Sequence, residues 1–157
     1  ISKVKNSEKL KSAINHAFEH GEEVIAEAFI SGRELTNGVY RNEEGIQILP
    51  ITEIISENEF FDYEAKYKGQ SNEVTPAKIS IDLEKKIKDL TYKIYDTLGM
   101  KGIARMDYIV NDDGTPFLIE INSVPGQSAE SIIPQMAAIE EVDMEELFSD
   151  VIKYSFS

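Results

Sequence analysis

At 157 residues, 41% hydrophobic and 29% charged, the chain has the composition of one ordinary folded domain, not of a disordered segment. It contains no cysteine, which excludes disulfides and thiolate metal sites and favours a cytosolic setting; its two histidines, both in the first helical stretch, make a histidine zinc site unexpected. A net charge of −13 argues against nucleic acid as a partner, and no apolar run approaches the roughly 18 residues that span a membrane.

In chain order, ISKVKN has no initial Met and reads as the tail of an element already under way. No basic-then-apolar leader pattern follows. Ser7 is expected to cap a helix to about His20, with Leu10, Ala13, Ile14, Ala17 and Phe18 on one face and Gly21 just beyond its end. Both histidines then read as surface or capping residues. Residues 22–30 (EEVIAEAFI) read as a strand, Ser31-Gly32 breaks it, and residues 33–40 resume. A turn at 42–45 leads to a strand at 46–55 with an irregularity at Pro50. Singly, Glu27 and Glu34 read as ordinary exposed strand residues.

Residues 57–77 are long, polar and aromatic without a period. Loops of that kind inside compact domains often act as lids, and Lys66, Tyr67 and Lys68 give this one a cationic tip. The plainer reading is a solvated surface loop anchored by its aromatic residues. Leu83, Ile87, Leu90, Ile94 and Leu98 step at helical intervals, so residues 81–98 are expected to form an amphipathic helix ended by Gly99.

GIARMDYIV and PFLIEIN are strand-like, and Asp113-Gly114 between them is a hairpin-turn signal. With a two-residue loop, Asp107 faces Glu120 and Arg105 faces Asn122. Alternation then puts all four on one face of the sheet. Two carboxylates and an amide oxygen suit Mg²⁺ shared with phosphates, and Arg105 suits an anionic group. A cross-strand Arg–Asp ion pair on a solvated face is an equally open reading of the bare hairpin. The apolar flanks, Ile103, Ile109, Leu118, Ile119 and Ile121, suggest that the hairpin is mostly buried. Its second strand runs into Asn122-Ser123-Val124-Pro125-Gly126, a loop able to present backbone N–H groups.

Ser131 is expected to cap a short helix with Pro134 in its first turn. Asp143 and Glu146 resemble a capping box before a core stripe of Met144, Leu147, Phe148, Val151 and Ile152. Between residues 106 and 152 there are 11 acidic residues and no Lys or Arg. Most read as solvated helix faces. An acidic half that handles a nucleotide needs a divalent cation, or cationic groups from other segments.

Taken together, EAFISGREL, FFDYEAKY, Thr75-Pro76-Ala77, GIARMDY, LIEINSVPG and SAESIIP resemble, in this order, the C-terminal part of the D-alanine–D-alanine ligases, which are ATP-grasp enzymes. The resemblance covers essentially the whole chain. It implies an α+β fold: an ATP-grasp C-terminal catalytic domain at residues 31–157, with a mostly antiparallel sheet and flanking helices, preceded at 1–30 by a remnant of the central ATP-grasp subdomain. It implies that Glu27 and the Ile30 backbone contact adenine, that Phe29 lines the adenine slot and that Glu34 binds ribose. Lys66 would reach the ATP phosphates on loop closure, and Tyr67 would face the amino-acid site. Asp107, Glu120 and Asn122 match the Mg²⁺ ligands, with Mn²⁺ as a substitute ion. Arg105 and the Gly126 N–H match the groups that stabilise the tetrahedral intermediate, and Ser131 with the Ile132 backbone the site for the second substrate's carboxylate.

The implied reaction makes a D-alanine dipeptide for peptidoglycan synthesis through an acyl phosphate. The family's N-terminal domain, most of its central domain and the Gly-rich phosphate loop have no counterpart in these residues, and the chain alone is expected to lack ligase activity. Relative to the family, Ala28 stands where Lys is frequent, Ser123 where Thr is commoner, and Asn37 where an apolar residue is usual. The family is commonly dimeric, so the expected partners are D-alanine, the rest of the same enzyme and a second copy. A D-Ala–D-lactate type ligase and a non-catalytic nucleotide-binding remnant are the alternatives.

Overall fold

The computed structural model describes residues 1–56 and 71–155. The chain divides into two compact units, Ile1–Ile30 and Ser31–Ser157.

In the first unit Asn6, not Ser7, is the cap. Its side-chain oxygen accepts from Lys9 N at 3.1 Å and opens a 3₁₀ turn, Ser7–Lys9, that leads into helix α1 (Leu10–Phe18). Asn and Ser are equally good caps in this role, so composition alone did not separate them. Residues 22–30 form no ladder with any described strand, against the expected strand. Strand propensity measures how well a side chain suits a pleated surface and does not supply the neighbour that completes one.

The second unit contains β1 (Arg33–Asn42), β2 (Gly45–Ser56), β3 (Ser71–Val74), α2 (Ile81–Thr97), β4 (Ala104–Val110), β5 (Pro116–Asn122), α3 (Ile132–Ile139) and α4 (Met144–Ser155). The strands make one antiparallel sheet in the order β3-β2-β1-β4-β5, the α+β class expected. β3 falls where an unbroken loop was expected, pairing Ser71–Val74 with Glu53 to Ser56.

β1 is the middle strand, and alternation divides its residues between two cores. Leu35 and Val39 join Ile51, Ala104, Met106 and Tyr108 against Ile87 and Tyr95 of α2. Tyr40, Leu49 and Ile54 pack against Ile133 and Met136 of α3 and Leu147 of α4. Gly38 lies under α3, where a Cβ would come 2.8 Å from the Ile133 and Leu49 methyls, so its missing side chain sets how closely that helix sits. The irregularity expected at Pro50 is a bulge: Asn37 pairs with Ile51 and Val39 with Ile48, leaving Leu49 and Pro50 opposite Gly38.

α2 starts where the periodicity predicts, with Ser80 Oγ accepting from Leu83 N at 3.3 Å. Asp143 caps α4, accepting from Glu145 N and Glu146 N at 2.8 and 3.1 Å. The α4 stripe is narrower than expected. Leu147 is buried and Met144 and Val151 pack at its edge, but Phe148 and Ile152 are exposed. No helix among the described residues is long and apolar enough to cross a membrane.

Candidate active-site face

The β4–β5 hairpin brings together four of the residues singled out in the sequence. Arg105 pairs with Asn122 and Asp107 with Glu120, the register expected, although the turn differs. Asn111 N donates to Thr115 O and Gly114 N to Asn111 O, which closes a three-residue loop, Asp112-Asp113-Gly114, with Gly114 at φ +72°. A glycine at positive φ is what such a loop requires at its last position. The extra loop residue is offset by a bulge: Tyr108 pairs with Leu118, so Ile119 is unmatched and the register returns at Glu120.

The hairpin is only half buried, which corrects the expectation from its apolar flanks. β4 is buried almost throughout, whereas β5 is the sheet edge and leaves Phe117, Leu118 and Ile119 exposed. An edge strand has a neighbour on one side only. Asp107 is therefore buried while the Glu120 side chain is 56% exposed.

Arg105 and Asp107, two apart on β4, form a two-pronged ion pair. Nε donates to Oδ1 and Nη2 to Oδ2, each at 2.8 Å. Glu120 Oε1 lies 3.9 Å from Arg105 Nη2. Sequence reasoning did not find Thr36. It faces Asp107 from β1, and its buried hydroxyl donates to Asp107 Oδ1 at 2.5 Å. Glu34, two residues earlier on the same face of β1, adds its field to Arg105. Burial by itself raises the Asp107 carboxyl, but the Arg105 fork, the Thr36 hydroxyl and Glu120 hold it below the usual carboxylate range. Burial likewise works against the Arg105 charge, and Asp107 first, then Glu120 and Glu34, more than restore it.

One guanidinium against Asp107 and Glu120 leaves this face with one negative charge in excess, before Glu34 is counted. The donors are all hard oxygens, and a carboxylate has about four lone-pair sites, of which Asp107 uses three. The donor set thus fits a hard divalent cation such as Mg²⁺. Asn122 Oδ1 accepts from Val124 N at 3.1 Å, so it shapes the following turn as well as facing Arg105.

That turn carries the chain to α3. Ser131 sits at the N-cap position, but its hydroxyl bonds Ser128 Oγ at 3.0 Å and not the helix backbone. Gly126 comes against it: a Cβ there would lie 2.7 Å from Ser131 Oγ. Ile132 opens α3, whose first-turn N–H groups favour an anion. A cavity of about 340 Å³ is lined by Ser123, Val124, Pro125 and Gln127 of this loop, with Gly102 and Phe148, but not by the carboxylates. Both polar side-chain atoms of Gln127 are buried without a partner.

Of the other expected site residues, Glu27 and Phe29 are exposed and Ile30 half-buried in the first unit, with the Lys3 ammonium 3.5 Å from the centre of the Phe29 ring. Lys66 and Tyr67, with the rest of the expected lid up to residue 70, lie outside the described residues.

A family model for the D-Ala D-Ala ligase C-terminus matches residues 1–153. The D-alanine–D-alanine ligase of Bacteroides fragilis is 44% identical over 156 residues, which are 99% of this chain and 48% of that protein. The VanG D-Ala:D-Ser ligase of Enterococcus faecalis has a TM-score of 0.81 at 31% identity, over 94% of this chain and 43% of that one. The D-alanine–D-alanine ligase of Bacillus anthracis complexed with ATP shares the fold, with a TM-score of 0.78 over 98% of this chain and 48% of that one at 24% identity. The chain spans about half the length of the curated relatives it matches. By that family match and those relatives, it belongs to the D-alanine–D-alanine ligase family and corresponds to its C-terminal region.

Proposed function

We propose that this chain is the ATP- and metal-handling half of an enzyme that joins two D-alanines at the cost of ATP. In this reading residues 31–157 are the catalytic domain, and residues 1–30 belong to the central subdomain. Glu27, Phe29 and the Ile30 backbone take the adenine, Glu34 the ribose and Lys66 the phosphates. Asp107, Glu120 and Asn122 hold Mg²⁺, or Mn²⁺ in its place. The observation that carries the reading is the convergence of Arg105, Asp107 and Glu120 on one sheet face, next to a loop that ends at a helix N-terminus.

The chemistry runs in two steps. The carboxylate of the first D-alanine attacks the terminal phosphoryl group of ATP, and ADP leaves. The amine of the second D-alanine then attacks the acyl phosphate carbon, and phosphate leaves as the amide forms. A bound Mg²⁺ would neutralise oxygens of the transferring group, chemistry that rests on positioning and electrostatics. Arg105, fixed by Asp107, presents a guanidinium to the oxyanion of the tetrahedral intermediate, with the Gly126 N–H as a second donor. Ser131 and the N-terminus of α3 receive the second substrate's carboxylate. The family resemblance gives Tyr67, like Lys66 outside the described residues, a role at the amino-acid site.

The test uses the full-length enzyme. ATP-dependent phosphate release with D-alanine, and the dipeptide product, are expected in the wild type and lost in Asp107→Ala; activity that survives the substitution sinks the metal assignment. The 157-residue chain alone is expected to be inactive. The likeness to a D-Ala:D-Ser ligase at 31% identity favours one further reading, in which the second substrate is another hydroxyl- or amine-bearing D-acid. Product analysis with D-serine and D-lactate beside D-alanine separates them.

A further inference from the structure

We propose that the end of α1 carries a second metal site, for a borderline transition ion such as Zn²⁺ or Ni²⁺, formed by His16, Glu19 and His20. Two histidines alone made such a site unexpected, since they fall short of a coordination shell. The structure supplies the third ligand. One nitrogen from each imidazole and one Glu19 carboxylate oxygen all lie within 4.8 Å of one another. His16 Nδ1 is already 3.1 Å from Glu19 Oε2, and the two rings meet edge to face with centres 5.3 Å apart at 84°.

The spacing explains the convergence. Residues three and four apart share a helix face. α1 ends at Phe18, but its last turn is closed by Glu19 N donating to His16 O at 3.2 Å and His20 N to Ala17 O at 3.1 Å. His20 is therefore held one turn from His16. A Zn²⁺ ion with ligands at about 2.0–2.1 Å needs its donors roughly 3.4 Å apart in a tetrahedron. All three side chains are exposed, so small rotations about their side-chain bonds bring them in without disturbing a core. Exposure also leaves room for water at the fourth position.

The donor chemistry separates this site from the hairpin. Two imidazoles and one carboxylate suit Zn²⁺, Ni²⁺ or Cu²⁺, whereas the oxygen set of Asp107, Glu120 and Asn122 suits Mg²⁺. The two sites also lie in different units of the chain. An ion held by these three exposed side chains would staple the helix end.

The experiment titrates metal-free full-length enzyme with Ni²⁺ or Co²⁺ in millimolar Mg²⁺, followed by calorimetry and by the visible absorption of bound Co²⁺. One ion per chain is expected at the His16 site. Its affinity should fall about tenfold or more in His16→Ala and His20→Ala, the scale typical of a disrupted metal shell, with ligase turnover in Mg²⁺ unchanged. Glu19→Gln should weaken binding less. Unchanged affinity in the His16→Ala/His20→Ala double variant overturns the proposal. So does complete displacement of the ion by Mg²⁺, which would put it on hard oxygen ligands.

Discussion

Thr36 on β1 and Asp107 on β4 stand directly opposite one another, and the buried Thr36 hydroxyl donates to Asp107 Oδ1 at 2.5 Å. With the two Arg105 donors, this fixes the carboxylate from two strands at once. Thr36→Val keeps the shape of the side chain and deletes only the donor. If Asp107 holds Mg²⁺ as proposed, the substitution in the full-length protein is expected to raise the Mg²⁺ concentration for half-maximal activity about tenfold, the usual scale for losing a partner of a metal ligand. Thr36→Ser should stay near wild type. Mn²⁺ binding followed by electron paramagnetic resonance gives the same comparison without turnover. Equal metal affinity in the Val variant would show that Asp107 does not depend on Thr36.

The Arg105–Asp107 pair also makes stability depend on acid. Folding lowers the Asp107 pKa, so the unfolded chain takes up a proton first as the pH falls past about 4. The contribution of Asp107 is therefore full above that pH and fades as the pH drops through the lowered folded value. Asp107→Asn leaves the buried Arg105 with Glu120 at 3.9 Å and the field of Glu34 in place of its two-pronged partner, and is expected to cost roughly 3 kcal/mol at neutral pH, the low end for a broken buried pair. Urea unfolding should show that gap constant from pH 7 to 5 and shrinking below pH 4. A gap independent of pH would mean that the loss is not electrostatic.

Much of this face was legible because its signals are local. Alternation within β4 and within β5, joined by an Asp-Gly turn, is enough to put Arg105, Asp107, Glu120 and Asn122 on one side. The register came out right although the loop has three residues, because the Ile119 bulge cancels the third one. Thr36 was not legible, since it meets Asp107 only through the pairing of two strands 71 positions apart, and nothing in ELTNGVY announces which strand it will face. The burial of β5 was misread for a related reason: its apolar residues say that it is a strand, but not that it is the last one in the sheet. Residues 22–30 show the same limit, with strand composition and no described partner.

Tyr108 is fully buried, and its hydroxyl meets Thr91 Oγ1 at 2.9 Å beneath α2. Burial pushes its pKa up to about 12, with the nearby Asp107 charge adding to the rise and Thr91 opposing it. An unfolded tyrosine ionises near pH 10, so between about 10 and 12 the unfolded chain gains from ionisation while the folded one does not. Stability should fall across that window. Tyr108→Phe is expected to be about 1–2 kcal/mol less stable at pH 7, because it strands the buried Thr91 hydroxyl. The deficit should close by pH 11, measured by urea unfolding at both pH values. A deficit that stays constant would show that Tyr108 ionises as readily folded as unfolded.

Gly126 and Ser131 approach so closely that an alanine at 126 would bring its Cβ 2.7 Å from Ser131 Oγ and 3.3 Å from Ser131 Cβ. The hydroxyl can turn away only by giving up its 3.0 Å contact with Ser128. If Ser131 receives the second substrate's carboxylate, Gly126→Ala in the full-length ligase should raise KM for the second D-alanine about tenfold, a loss of about 1.4 kcal/mol of binding. If Glu34 and the carboxylate hairpin serve ATP as proposed, KM for ATP should hold, because a Cβ at 126 meets only Ser131 within 4 Å. Ser131→Ala separates this route from a general distortion of the loop. Residues that act through one contact are not additive, so the double variant should bind the second D-alanine little worse than Ser131→Ala alone. Two penalties that add in full would show that Gly126 acts on the substrate by a route that bypasses Ser131.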